Sequence, residues 1–333
     1  ASQLEGSQEF MKEIAAKNGV PTAKYEAFTE VKPAIKYAKS LGFPCVIKAD
    51  GLDAGKGVII VNDKKESENA ITEMLENSLF GEAGQKIIIE EFLEGPEISY
   101  FAICDKHSYK YIGSASDHKK VGEGNVGPNT GGMGTFTPSP YMNDRLEERV
   151  NQEIIEPTLQ AFKDLDNPFC GILFAGIILT KNGPKLLEFN IRFGDPETQP
   201  IMMRLKSDLV SLCQSALDKT LDKQTTDWDE RAAVGVVLAA GGYPASYEKG
   251  HAISGLDSSL NNNSTAKIFH AGTSLKADTV VNSGGRVLCA TALGNSVLEA
   301  QELAYSLAKE ISWSGSFYRK DIAYRAIARE QQQ

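Results

Sequence analysis

No apolar run in the chain approaches the ~20 residues needed to span a bilayer, and the N-terminus lacks the pattern of a secretory signal. Cysteine is scarce. Cys45, Cys104, Cys170, Cys213 and Cys289 are widely spaced, odd in number, and form no CxxC pair. Each sits among apolar neighbours, which predicts buried, reduced thiols in a reducing compartment. The four histidines, His107, His118, His251 and His270, show no ligand spacing for zinc. Basic residues are also in deficit, 35 against 44 acidic, for a net charge of -9. That balance argues against broad affinity for nucleic acid or anionic membranes and leaves room for a local basic pocket. Together the absences predict a cytoplasmic protein.

What is present is ordinary globular composition, 41% hydrophobic and 24% charged. The length of 333 residues predicts two or three domains. The chain is organised around Leu186–Pro200, LLEFNIRFGDPETQP. Alternation with period two puts Glu188, Asn190 and Arg192 on one strand face and Leu187, Phe189 and Ile191 on the other. A carboxylate, an amide oxygen and a guanidinium then lie within roughly 13 Å. Hard oxygen ligands suit Mg²⁺, which recruits phosphate oxygens, and the arginine suits an anion or developing negative charge. Asp195 and Glu197 follow, beside a helix start whose free N–H groups suit an anion; equally, they are simple dipole partners of that helix.

Ser7 is expected to cap a helix to about Asn18, with Phe10, Ile14 and Ala15 on one face and Gly19 ending it. Strands are predicted at Pro44–Ala49, Val58–Val61 and Ile87–Phe92, with a helix of about fourteen residues capped by Asp63. Longer strands follow at Ile98–Cys104, Tyr109–Ser114, Gly171–Thr180 and Lys185–Ile191, the last two joined through Asn182-Gly183. A polar, glycine-rich loop, Ser116–Thr137, interrupts them. Helices are predicted over Asp144–Leu165 and, as a pair, Ile201–Leu221. A new section begins near Trp228, with strands Ala232–Ala239, Lys267–Gly272 and Arg286–Leu293, a sharp turn at Gly241–Pro244 and an exposed loop at Asn261–Asn263. A helix from Ser296 to about Ile311 and an ordered tail, Tyr318–Arg329, complete it.

Three further segments bear on chemistry. Lys48 ends a buried strand ahead of DGLDAGKG, where Gly51, Gly55 and Gly57 let backbone amides approach phosphate; the segment reads equally as a turn with two solvated lysines. IIIEEFLEGPE (Ile87–Glu97) suits an interdomain hinge whose backbone reads an adenine edge, with Glu97 on ribose hydroxyls, or else a surface strand end. SDHKKVGEGNVGPNTGGMG (Ser116–Gly134) combines six glycines with Asp117, His118, Lys119, Asn129 and Thr130, the make-up of a substrate loop. His118 itself reads as a hydrogen-bonded loop residue rather than a base.

In this order the motifs resemble the ATP-grasp superfamily and, within it, the glycinamide ribonucleotide synthetases, the phosphoribosylamine–glycine ligases of purine biosynthesis. EGSQEFMK, VIKADGLDAGKGV, IIIEEFLEGPE, SDHKK with GPNTGGMG, GILFAGI, LEFNIRFGDPETQP, AAGGYP, FHAGT, GGRVL and FYRKDI carry the likeness over practically the whole chain. It implies an α+β ATP-grasp fold followed by a small C-terminal α/β domain. The expected boundaries are a lead-in at 1–24, a lid at 25–93, a catalytic subdomain at 94–227 and a C-terminal domain at 228–333.

The resemblance implies that Lys48, with Lys12 as a second candidate, contacts ATP phosphates under a loop containing Gly55, Lys56 and Gly57. Glu91 and Leu93 would offer backbone groups to adenine, with Glu90 and Phe92 beside them in the cofactor pocket and Glu97 on the ribose. Glu188 and Asn190 match the family's Mg²⁺ (or Mn²⁺) ligands. Asp117, Asn129, Thr130, Gly131, Gly132 and Arg192 fall where the family handles glycine, acyl phosphate and 5-phosphoribosylamine. A monomer acting on small molecules, with no nucleic-acid or membrane partner, is expected. Gln8 departs from the usual lysine and Asp53 from the usual alanine. The family's N-terminal α/β domain, which helps to hold the phosphoribosylamine, does not precede EGSQEF. Beside the ligase stand two other readings, a nucleotide-binding fragment without full turnover and another carboxylate-activating ATP-grasp ligase.

Overall fold

A computed structural model describes residues 2–51, 57–77, 85–257 and 264–332. Asp53, Gly55, Lys56 and the expected loop Asn261–Asn263 lie outside the described residues. The chain forms two compact units. One comprises Ala1–Tyr111, Asn143–Arg192 and Ser215–Asp222; the other comprises Ile112–Met142, Phe193–Gln214 and Lys223–Gln333.

In the first unit, helix Gln8–Lys17 begins as its sequence predicts, the Ser7 hydroxyl accepting from the Phe10 amide. Its buried face is Met11, Lys12, Ile14 and Ala15; Phe10 is only half-buried, and a lysine stands where only apolar residues were expected. An antiparallel sheet follows, ordered Tyr25–Phe28, Ile87–Glu91, Cys45–Ala49, Val58–Val61. Its core joins Cys45, Ile47, Ile87 and Ile89 to Ala34, Ala38, Ala70, Ile71 and Met74 of helices Val31–Leu41 and Lys64–Leu75. Alternation therefore sends Lys48 and Glu90 to the opposite face. Val46 pairs with Glu90 and Lys48 with Ile88, so the two charged residues are diagonal neighbours.

The same unit holds antiparallel strands Glu97–Asp105, Cys170–Thr180 and Gly183–Asn190. Thr180 pairs directly with Gly183, so Lys181 and Asn182 form the turn, one residue earlier than expected. The predicted helix Asp144–Leu165 is three pieces, Asp144–Val150, a π-helical Asn151–Ile155 and Glu156–Asp164. Pro157 has no N–H to give the α-ladder, and the register widens just ahead of it.

The second unit is built on antiparallel strands ordered Gly134–Thr137, Ala232–Ala239, Arg286–Gly294, Ala266–His270. Ser116 and Asp117, ending strand Tyr109–Asp117, pair with Phe136 and Thr135. Val234, Val236, Leu238, Leu288, Ala290 and Ala292 form a core with Ala300, Ala304 and Leu307 of helix Val297–Glu310, which Ser296 caps.

The glycine-rich stretch Ser116–Thr137, read from sequence as a substrate loop, contains regular structure. Lys120–Gly122 pairs with Val126–Asn129 as a hairpin, and Gly134–Thr137 is a fully buried sheet strand. Two surface predictions also change, since Cys213 is exposed and Cys170 half-buried, while Cys45, Cys104 and Cys289 are buried. Among the described residues no helix is long and apolar enough to cross a membrane.

Candidate active site

The first unit carries a buried ionic triad. Glu90, 2% exposed, lies between Lys12 Nζ at 2.9 Å from Oε2 and Lys48 Nζ at 3.0 Å from Oε1. Burial alone would raise the Glu90 carboxyl's pKa, but Lys48 and Lys12 outweigh it and hold the group ionised. Lys12 is 0% exposed. Burial lowers its pKa to about 8 against the pull of Glu90. Lys48 Nζ also donates to the Leu187 carbonyl at 3.2 Å, one residue ahead of Glu188.

Glu91 turns the other way. Its Oε1 accepts from the Lys24 amide and from Lys185 Nζ, each at 3.1 Å. Its strand ends there, and Phe92–Glu94 lie outside any regular element, with Phe92 exposed. Gly95 has φ +156, and a Cβ on it would sit 2.2 Å from the Leu179 carbonyl oxygen. This close approach admits only glycine. Leu93 is half-buried and Glu97 is exposed at the start of the next strand. Gly57 is buried, its carbonyl accepting from the Ala49 amide. Gln8 Oε1, where the family usually has lysine, is buried without a partner among the described residues.

Glu188 and Asn190 occupy the same face of strand Gly183–Asn190, opposite Gly176 and Phe174. A Cβ on Gly176 would lie 3.2 Å from Glu188 Cγ, so the glycine leaves that carboxylate its space. Two hard oxygen donors at spacing i, i+2 are a donor set that suits a small divalent cation, and here Asn190 Oδ1 accepts from Arg192. Arg192 lies beyond the strand's last residue rather than on it. It folds back, Nη2 donating to Asn190 Oδ1 and Nε to Glu5 Oε1, both at 3.0 Å. The other Glu5 oxygen accepts from the Ile191 amide at 3.0 Å. Sequence reasoning gave Glu5 no role; its place in EGSQEF was the available signal.

In the second unit, Thr130 Oγ1 donates to the Lys119 carbonyl at 2.8 Å and accepts from the Gly132 amide at 3.0 Å. Asn129 ends the hairpin opposite Lys120. The Gly131 amide donates to the Tyr243 hydroxyl at 3.0 Å, and its carbonyl accepts from Arg286 Nη1 at 2.7 Å. Arg286 also donates to the Asp195 carbonyl and pairs with its carboxylate at 3.1 Å. Neither Arg286 nor Tyr243 was singled out in sequence, although GGRVL and AAGGYP contain them.

Gly132 has φ +119, and a Cβ there would meet Pro196 Cδ at 2.4 Å and Asp117 Oδ1 at 2.7 Å. Burial and the nearby Glu197 charge raise the Asp117 carboxyl's pKa well above the ordinary carboxylate range, against Lys119 and Arg286. Its Oδ1 is buried without a hydrogen-bond partner among the described residues. Glu197 is buried beside Gly194, where a Cβ would sit 2.4 Å from its Oε2. The helix that follows, Thr198–Arg204, is a short one.

His118 is hydrogen-bonded and lies outside any regular element, as its sequence context suggested. Its Nε2 accepts from the Ala323 amide at 3.2 Å. Burial and Arg319 lower its pKa to about 4. Arg319, 1% exposed, grips Asp321 with two nitrogens and donates to the Lys120 carbonyl and Asn125 Oδ1. The glycine-rich segment is thereby tied to FYRKDI.

Known proteins resemble the chain over most of its length. Residues 6–198 match the phosphoribosylglycinamide synthetase ATP-grasp (A) domain and residues 233–325 the C domain of the same synthetase. A phosphoribosylamine–glycine ligase from Vibrio vulnificus is 53% identical over 333 residues, 100% of this chain and 77% of that protein. The crystal structure of a phosphoribosylamine–glycine ligase from Thermotoga maritima superposes with a TM-score of 0.87 at 32% identity, covering 97% of this chain and 80% of that one. The biotin carboxylase domain of a Hydrogenobacter thermophilus 2-oxoglutarate carboxylase, solved with MgADP and bicarbonate, shares the fold at a TM-score of 0.71 and 18% identity, over 95% of this chain and 68% of that one. The chain belongs to the phosphoribosylglycinamide synthetase family, the phosphoribosylamine–glycine ligases of the ATP-grasp fold.

Proposed function

We propose that the chain joins glycine to 5-phosphoribosylamine at the expense of ATP, giving glycinamide ribonucleotide, ADP and phosphate. The observation that carries this reading is the junction of Lys48, Leu187 and Glu188. A lysine paired to Glu90 donates to the backbone one residue ahead of a strand carboxylate, an arrangement that supports a cation for phosphate beside an oxygen for the metal. Lys48 would neutralise ATP phosphates, the backbone of Glu91–Leu93 would read adenine, and Glu97 would take ribose hydroxyls. Glu188 and Asn190 would hold Mg²⁺, which supplies charge neutralisation of the polyphosphate when bound. Asp117 and the Asn129–Gly132 turn would take glycine.

The first step brings two anions together. A glycine carboxylate oxygen attacks the γ-phosphorus, the bond to the β–γ bridging oxygen breaks, and ADP leaves. Lys48 and Arg192 offset the charge that accumulates. In the second step the amine nitrogen attacks the acyl carbon, the acyl C–O bond breaks, phosphate departs, and the nitrogen loses a proton. The acyl phosphate must be kept from water, a role for the 25–93 subdomain. ADP release in the presence of 5-phosphoribosylamine, with glycine, formate or bicarbonate as the carboxylate to be activated, tests the reading. Stimulation by glycine alone is expected; equal stimulation by formate or bicarbonate, or none by glycine, overturns it.

A further inference from the structure

Lys12, the second candidate for the phosphate pocket, is 0% exposed and its ammonium is already engaged. It donates to Glu90 Oε2 at 2.9 Å and to Thr22 Oγ1 at 2.7 Å, with the Tyr25 ring 5.8 Å away. Thr22 in turn donates to the Leu186 carbonyl at 2.7 Å, and the Leu186 amide donates to Pro21. Lys12 and Lys48 thus hold opposite oxygens of one carboxylate, and each leads to an adjacent carbonyl of the strand that reaches Glu188. Two ammoniums and one carboxylate leave a single net positive charge. Lys12 is 0% exposed and Lys48, although buried, is 6% exposed, so of the two only Lys48 retains surface through which that charge can meet a ligand.

We infer that Lys12 is a positioning residue and not a phosphate contact. It occupies half of Glu90, so that Lys48 stays aimed but not neutralised, and through Thr22 it fixes the strand carrying Glu188. The inference rests on Lys48 being the ATP lysine. Without Lys12, Glu90 is left to Lys48 alone, and the net charge offered to phosphate falls from one to zero.

Calorimetric titration with ATP and Mg²⁺ tests this. Lys12→Met is expected to weaken ATP binding about tenfold or more, the scale of one charge-assisted hydrogen bond. In glycine-dependent ADP release the loss should fall on KM for ATP, with kcat within about threefold. The double variant Lys12→Met/Glu90→Gln restores the single positive charge and is expected to return affinity to within about threefold of the parent. A double variant as weak as Lys12→Met, or a Lys12→Met protein binding like the parent, overturns the inference. If Lys12→Met does not fold, Thr22→Val carries the test, with a loss of about threefold expected and unchanged affinity overturning it. Lys48→Met is the control for the underlying reading: parental ATP affinity there rejects Lys48 as the ATP lysine.

Discussion

Arg286 donates to the carbonyl of Gly131 at 2.7 Å across 155 residues of sequence, and with Asp195 it pins the turn that follows Asn129. Replacing Arg286 with Met leaves the Gly131 carbonyl and the Asp195 carboxylate without this partner. If the turn receives glycine, KM for glycine should rise about tenfold or more, while ATP affinity stays within about threefold. Steady-state ADP release at varied glycine, beside ATP titration, separates the two.

Gly132 provides a backbone test. Its φ of +119 and the 2.4 Å approach of a Cβ to Pro196 make Gly132→Ala costly on two counts. A loss of about 1–3 kcal/mol in urea unfolding is expected, with a larger fractional loss of glycine-dependent turnover than of ATP binding. Wild-type stability in this variant would show that the turn relaxes without cost.

Glu188→Ala is expected to abolish Mg-ATP turnover with the fold intact, because Asn190 alone supplies a single neutral oxygen. Mn²⁺ binding followed by electron paramagnetic resonance reads the site without turnover. Near-parental glycine-dependent ADP release or unaltered Mn²⁺ affinity would remove Glu188 as a ligand.

His118 makes stability pH-dependent. Burial first, then Arg319 and Arg325, lower its pKa to about 4, against Asp321 and the hydrogen bond with Gly134. The unfolded chain takes up the proton near pH 6.5, so the unfolded state binds more protons between pH 6.5 and 4. The associated stability is fully present above 6.5 and falls as pH drops through this window, by about 3 kcal/mol in full. His118→Gln keeps an acceptor for the Ala323 amide without titrating. Its unfolding free energy should fall less steeply than the parent's from pH 7.5 to 4.5; identical slopes would reject the assignment.

Features set by neighbouring residues were legible in sequence. Ser7, Asp63 and Ser296 cap the helices expected of them, since a cap needs only an oxygen and an amide three positions on. Strand Gly183–Asn190 was visible in its alternation. The misread features depend on distant partners. Gly134–Thr137 is a strand because Ala233–Val236 pairs with it, and its glycine-rich context hid that. Lys12 is buried because Glu90 and Thr22 receive its charge, which helical periodicity does not report. Glu5, Tyr243 and Arg286 acquire partners only through the fold.

The bond from Thr22 to Leu186 spans 164 residues. At roughly 5–20 residues per second, the ribosome delivers that carbonyl some 8–30 s after the threonine. Glu90, the ion partner of Lys12, follows it by 78 residues, so for the latter part of this interval the pair exists without the strand that reaches Glu188. Maturation of this region therefore follows the arrival of distant chain rather than helix-forming tendency. A product of interrupted translation ending before Leu186 would hold the ionic partners of Lys12 without the strand that they support, a natural substrate for proteolytic clearance.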